Sequence, residues 1–505
     1  MAEIESGEQR GENNVKTPAK PRGAQTAHVL ERDGQRLAYA ATAEWLYLHT
    51  DDKPIAEVFH VFYELDIDTA PSRRPITFLF NGGPGAASAY LHVGAAGPKR
   101  VEFNADGTLR PPPVSLVDNA DSWLPFTDMV FVDPVGTGFS RAVTDKDEKK
   151  DGGDPKKAKG EEFWKIERDL NSLSEFVSAF LSKHHRWDSP IFVAGESYGG
   201  FRAAKLARRL QEKYGVGLNG SVLISPALDF SVLSQSDYDV LPWLDVFPTL
   251  AAAAFYHGRS KSPDGATEET VRNAAEELAA GEIPRLLVAG DAMEQAARKR
   301  LIGKISRMIG LDPGIVERVG GRVSPQLFSR ELLRDRGVIC GLYDASVTCR
   351  DPFPARPNYE GPDPTLWATE RVFASGINAL LRRELEVETE REYLLLNLEV
   401  NRNWKDDSDQ WSIFSQIQAV DDLRYAMSLN PHMLVRISHG VFDMVTPYRT
   451  SDRVVAHMGL DKATRGRLSC RHYPGGHMFY AWEGSRGSFS RDMQQFYQDA
   501  TPVGR

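Results

Sequence analysis

The chain has 505 residues, 41% of them apolar and 26% charged, with a formal net charge of −9. That balance is ordinary for a globular enzyme and argues against nucleic acid or an anionic membrane surface as a partner. No run approaches the ~18 consecutive apolar residues of a transmembrane helix, and three cysteines without a CxxC pair (Cys340, Cys349, Cys470) suit a reducing compartment, cytoplasm by default.

Residues 1–30 open with MAEIESGEQRGENNVKTPAKPRG, lack an apolar segment, and read as a disordered tail instead of a signal peptide. Residues 36–65 alternate as strands do, LAYAATAEWLYL and then AEVFHVFYELDI, around a DDKP turn. They predict an antiparallel pair at a sheet edge. ITFLF (76–80) is a buried strand running straight into NGGPGAAS. Glycine-rich backbone at the carboxyl end of such a strand brings main-chain N–H groups together, as an oxyanion hole requires. MVFVD (129–133) is the next buried strand and leads into PVGTGFS; 145–160 reads as a solvated loop. Between 163 and 187 apolar residues recur at Trp164, Leu170, Leu173, Phe176, Val177, Phe180 and Leu181, a helical stripe.

The stretch IFVAGESYGG (191–200) then joins an apolar strand, a G-x-S-x-G turn and a helix reaching Gly215. Strand, tight turn with serine at its apex, and helix make the nucleophile elbow of an α/β-hydrolase, with Ser197 exposed above the carboxyl edge of the sheet. SVLISPALDF (221–230) is a further strand, after which alternation fails. Residues 231–405 are predicted to be a mainly helical insertion capping that edge, with helices over 268–281, 283–310 and 366–388 and an irregular loop over 340–365. Cys340 and Cys349 are close enough in sequence to bridge that loop. A helix over 409–428 precedes the strand MLVRISHG (433–440), then VFDMVTPY, the strand RLSCRHY (467–473), PGGHMFY and a terminal helix from about Ser488. The expected fold is a central, mostly parallel sheet flanked by helices, built from residues 31–230 and 406–505 with the cap between them.

A serine hydroxyl needs a base within hydrogen-bond reach, and that base needs a carboxylate to hold its tautomer. His477 follows the last strand on a Gly475-Gly476 turn, so it is the first candidate among 12 histidines. His439, at another strand end, is the alternative base or a structural hydrogen-bonder, and His472 lies inside a strand. Asp443 follows the preceding strand, where the orienting acid belongs; Asp421 and Asp422 read as solvated helix residues.

NGGPGAAS, DPVGTGFS, GESYGG, GVFDMVTP and GGHM, in this order, resemble the serine carboxypeptidase family over residues 76–230 and 430–480. The resemblance implies Ser197 as nucleophile, His477 as base, Asp443 as its partner, and an oxyanion hole from the N–H groups of Gly83 and Tyr198. It implies that Asn81 and Gly82 of the first turn and Glu196 beside the nucleophile hold the C-terminal carboxylate of a peptide substrate. A carboxyl enclosed there is costly as an anion, whereas protonated it donates to the substrate carboxylate. Three departures stand out: Ala86 replaces the family's disulfide cysteine, Gly440-Val441-Phe442-Asp443 lacks the first acid of GDxD, and Ala95 stands where ELGP supplies another carboxylate-binding Glu. The expected activity is release of C-terminal residues through an acyl-enzyme; an esterase or acyltransferase using the same triad is the alternative. No metal or organic cofactor is expected, since HExxH, zinc-ligand cysteine spacing and a P-loop lysine are all missing from the sequence.

Overall fold

The computed structural model describes residues 21–32, 34–66, 74–143, 160–407 and 416–501. A ten-stranded mixed sheet forms the centre. We number its main strands β1 (Ala24–Arg32), β2 (Gln35–Thr50), β3 (Lys53–Leu65), β4 (Ile76–Phe80), β5 (Asp128–Val132), β6 (Ile191–Glu196), β7 (Leu218–Ile224), β8 (Leu434–Gly440) and β9 (Leu468–Tyr473). Their order is β1-β2-β3-β5-β4-β6-β7-β8-β9. The first three are antiparallel, β3 meets β5 antiparallel, and from β5 to β9 every pairing is parallel. The carboxyl ends of β4, β6, β8 and β9 therefore share one edge, and all four run into glycine-bearing turns.

Buried strands alternate between two cores, as the two-residue period of a pleated strand dictates. Phe78 and Val193 point to a face covered by α1 (Ile166–Lys183) and α2 (Tyr198–Lys213), through Leu173, Phe176, Phe180, Leu206 and Leu210. Leu79, Phe131, Phe192 and Ala194 point to the other. That face receives Phe489, Met493, Phe496 and Tyr497 of the terminal helix, Glu483–Ala500.

Between β7 and β8 the chain is mainly helical, with only a short hairpin of Val338–Cys340 and Thr348–Arg350 among its described residues. Helices Leu241–Tyr256, Glu268–Gly281 and Gln295–Ile309 build a third core around Phe247, Leu250, Ile302, Ile305 and Phe328. Val441, Phe442 and Met444, from the loop after β8, belong to that same core.

Several boundaries differ from the sequence reading. Residues 1–20 of the tail, 144–159 covering nearly all of the solvated loop, and 408–415 at the start of the helix read as 409–428 lie outside the described residues; that helix is described as Val420–Leu429. The 1–30 tail is corrected at its end, because Ala24–Arg32 pairs along its whole length with β2. Only Leu30 of that outer strand is fully buried, so its apolar signal is faint. The strand read as 221–230 stops at Ile224, since Ser225 takes φ 42 and Pro226 follows. The helix read as 283–310 breaks at Gly290, φ 51, and restarts where the Glu294 carboxylate caps two backbone N–H groups. Cys340 and Cys349 are free thiols; Ile339 is the residue paired with Cys349, so the two cysteines occupy opposite faces of their hairpin. No helix of the described residues is long and apolar enough to cross a membrane.

Candidate active site

Ser197 sits between β6 and α2 with φ 59 and ψ −123, a conformation costly for a residue with a Cβ. The surroundings hold it there. Its N–H donates to Ile224 O at 2.9 Å, and its carbonyl accepts from Gly200 N at 2.9 Å and Ala227 N at 3.1 Å. A Cβ on Gly195 would lie 1.8 Å from Gly199 O, so strand and helix approach more closely than any side chain permits. The turn after β4 presses on the elbow in the same way: a Cβ on Gly82 would lie 2.7 Å from Tyr198 N and 2.8 Å from Ser197 Cβ. The turn therefore brings Gly82 backbone against the elbow, Gly83 lines the same cavity as the serine, and Tyr198, at the first helical position, has an N–H without an intrahelical partner.

His477 is buried on the turn after β9, with Nδ1 2.7 Å from Asp443 Oδ2. Asp443, fully enclosed after β8, accepts on Oδ1 from Val445 N (2.8 Å) and Thr446 N (3.0 Å). Thr446 Oγ1 donates to Asp443 Oδ2 at 2.7 Å. A carboxylate so fixed assigns the proton to Nδ1 and leaves Nε2 as the basic nitrogen. Burial lowers the affinity of His477 for a second proton, but the charges of Asp443 and Glu196 and the Asp443 hydrogen bond outweigh it, so its pKa is raised. Ser197 and His477 line one cavity of about 210 Å³, together with Asn81, Gly82, Gly83 and Glu196. Among the described residues no hydrogen bond yet joins Ser197 Oγ to Nε2. Such bonds commonly tighten only around substrate.

His439 takes a different part. It is buried, with Nε2 2.8 Å from Ser451 Oγ, and burial pulls its pKa down to about 4. His472 lies 3.2 Å from Asp452, and Asp422 is paired with Lys205 at 2.7 Å. A larger cleft of about 410 Å³, lined by Lys205, Arg208, Asp421 and Asp422 among others, contains none of the candidate site residues.

Glu196 is buried beside the serine. Its Oε2 accepts from Asn81 Nδ2, and both its oxygens lie 2.9 Å from Tyr480 OH. Burial pushes its pKa up to about 7, against the nearby His477 and the two donors, which favour the anion. Asn81 is itself fixed, its Oδ1 accepting from Leu91 N at 3.0 Å. Ala95, the position where the resemblance expects a carboxylate, is buried in the turn His92–Ala96. A Cβ on neighbouring Gly94 would lie 2.9 Å from Tyr480 Cε2, so the tyrosine ring packs on this turn. The partner of Glu196 is thus a phenol instead of a second carboxyl.

Sequence reasoning missed Tyr480, Thr446 and the reach of the insertion. Tyr343, Leu366, Leu396, Leu398 and Asn401, all from it, line the cavity. Tyr343 O accepts from His477 N at 2.5 Å, and Asp344 Oδ2 accepts from Gly476 N at 2.8 Å and Trp482 Nε1 at 3.2 Å. The histidine turn is held by the cap. No local motif marks an acceptor that acts 132 residues from its donor.

A family model described as serine carboxypeptidase matches residues 37–242. Serine carboxypeptidase-like 45 of Arabidopsis thaliana is 30% identical over 193 residues, 37% of this chain and 36% of that one. Serine carboxypeptidase 3 of Oryza sativa subsp. japonica is 27% identical over 201 residues, 35% and 36% of the two chains. The chain thus matches about a third of the length of these curated relatives. The family match contains Asn81, Gly83, Glu196 and Ser197 but ends before Asp443 and His477. Among solved structures, a prohormone-processing carboxypeptidase from Saccharomyces cerevisiae superposes with TM-score 0.53 at 16% identity, covering 91% of each chain. The fold is that of an α/β-hydrolase.

Proposed function

We propose, from a core whose likeness in sequence and fold is to the serine carboxypeptidase family, that this chain is a serine-type carboxypeptidase acting on peptides with a free C-terminus. The observation that carries the reading is the buried Glu196 next to Ser197 on the wall of the same cavity, held by Asn81 and Tyr480, where burial raises its pKa to about 7. Protonated Glu196 donates a hydrogen bond to the terminal carboxylate, which lies one residue from the scissile carbonyl. Ser197 Oγ attacks that carbonyl while His477 Nε2 takes its proton, and Asp443 stabilises the imidazolium. The oxyanion is received by the Gly83 and Tyr198 N–H groups. His477 then gives its proton to the leaving amine, releasing the C-terminal residue. Water, deprotonated by the same nitrogen, hydrolyses the acyl-enzyme and returns Ser197 to its resting state.

The triad is tested with a fluorophosphonate probe and with single substitutions. Ser197 is expected to be labelled, and Ser197→Ala, His477→Ala and Asp443→Ala each to lose on the order of 10⁴-fold or more in kcat, with little further loss on combining two of them. His439→Gln should retain turnover. Near-normal activity in His477→Ala would overturn the assignment of the base. An esterase or acyltransferase with this triad would handle C-terminally amidated and free-acid peptides alike.

A further inference from the structure

Glu44 on β2 and His60 on β3 are direct cross-strand partners facing α1, and His184 is the residue that ends α1. Their ligating atoms converge: His60 Nε2 and His184 Nε2 each lie 3.5 Å from Glu44 Oε1, and all three atoms lie within 4.8 Å of one another. At 3.5 Å neither contact is a proper hydrogen bond. His60 is completely enclosed, edge-on to Phe176 and Phe180, yet neither of its ring nitrogens has a hydrogen-bond partner. His184 stacks on Phe180 with ring centroids 4.2 Å apart, and its buried Nε2 is also unpartnered. Unsatisfied imidazole nitrogens are expensive in a protein interior, and two of these three, the Nε2 atoms, face the Glu44 carboxylate. The Lys183–Glu44 ion pair, at 2.5 Å, leaves all three unsatisfied.

We propose that Glu44, His60 and His184 bind one divalent transition cation of the zinc class, clamping the antiparallel edge of the sheet to the end of α1. A tetrahedral ion with ligands about 2.0–2.1 Å away separates its ligand atoms by about 3.4 Å, close to the two 3.5 Å contacts of Glu44 Oε1. Two imidazoles and one carboxylate suit a borderline ion; calcium and magnesium seek all-oxygen shells. The Lys183 side chain is 45% exposed and can turn to solvent when an ion takes its place at Glu44. The site carries no short motif, because its ligands come from two paired strands and a distant helix end.

The test uses the full chain, stripped with chelator and dialysed against zinc chloride, with bound metal quantified and cobalt(II) absorption read as a coordination signature. One ion per chain and a tetrahedral cobalt spectrum are expected. Glu44→Gln and His184→Gln, at partly exposed positions, should each weaken binding at least by the about 10–100-fold that losing even an outer-shell partner costs. Lys183→Met should tighten it by removing the competing ammonium. Zinc held equally by wild type and the Glu44→Gln/His184→Gln pair, no zinc bound at all, or unchanged affinity in Lys183→Met would overturn the proposal.

Discussion

Glu196, on the wall of the cavity, accepts from the phenol of Tyr480 as well as from Asn81. Donation from Tyr480 favours the ionised carboxyl and burial favours the neutral one, and burial wins. Tyr480→Phe should therefore raise the Glu196 pKa further. The loss of free-acid peptide affinity at alkaline pH would move to higher pH, read as KM against pH; an unmoved limb would mean that the phenol does not control the proton. Stability carries the same sign. The native state holds a proton from pH 4.5 up to about 7 that the unfolded chain has released, so wild type loses stability as pH rises through that window. Glu196→Gln has no such proton to lose, and its Tm advantage over wild type should grow between those limits in thermal melts at stepped pH. A constant difference would contradict the buried, neutral carboxyl. At this scale the candidate triad was legible, because Ser197, Asp443 and His477 each stand on a turn with its own signature just past the carboxyl end of a strand. Tyr480 and Asp344 were not, since what they do depends on contacts made across the fold.

The glycine turns after β4 and β6 work as a pair, each with backbone where the other would need a side chain. Gly82→Ala inserts a methyl within 2.8 Å of Tyr198 N and Ser197 Cβ. It should lower kcat by the roughly 10²–10³-fold that follows removal of an oxyanion donor, while circular dichroism reports a folded chain. Turnover near wild type would contradict the placement of the oxyanion hole. Elements read well from sequence where burial leaves a continuous apolar run, as in β4, or a helical stripe, as in α1. The helix Leu241–Tyr256 has no polar face and contains Pro248, so neither a stripe nor a clean cap announces it. The strand Ala24–Arg32 has a single fully buried residue, which left it inside the tail.

The whole molecule joins two sheet-face cores to a third core in the insertion, and Val441-Phe442 ties that third core to the loop that carries Asp443. Phe442 is buried with its ring 5.3 Å from Tyr256 and 6.1 Å from Trp482. Phe442→Ala should cost about 3–5 kcal/mol in urea unfolding and depress kcat as well, because the cavity opens beside the acid of the triad. Lost stability with unchanged kcat would separate the cap from the site. The carboxylate clamp is tested most directly by KM against pH for one peptide as its free acid and as its C-terminal amide, in wild type and Glu196→Gln. In wild type the free-acid KM should climb above about pH 7, where Glu196 loses its proton, while the amide KM stays flat; Glu196→Gln should flatten the free-acid curve. Parallel free-acid and amide curves in wild type would contradict carboxypeptidase recognition by Glu196.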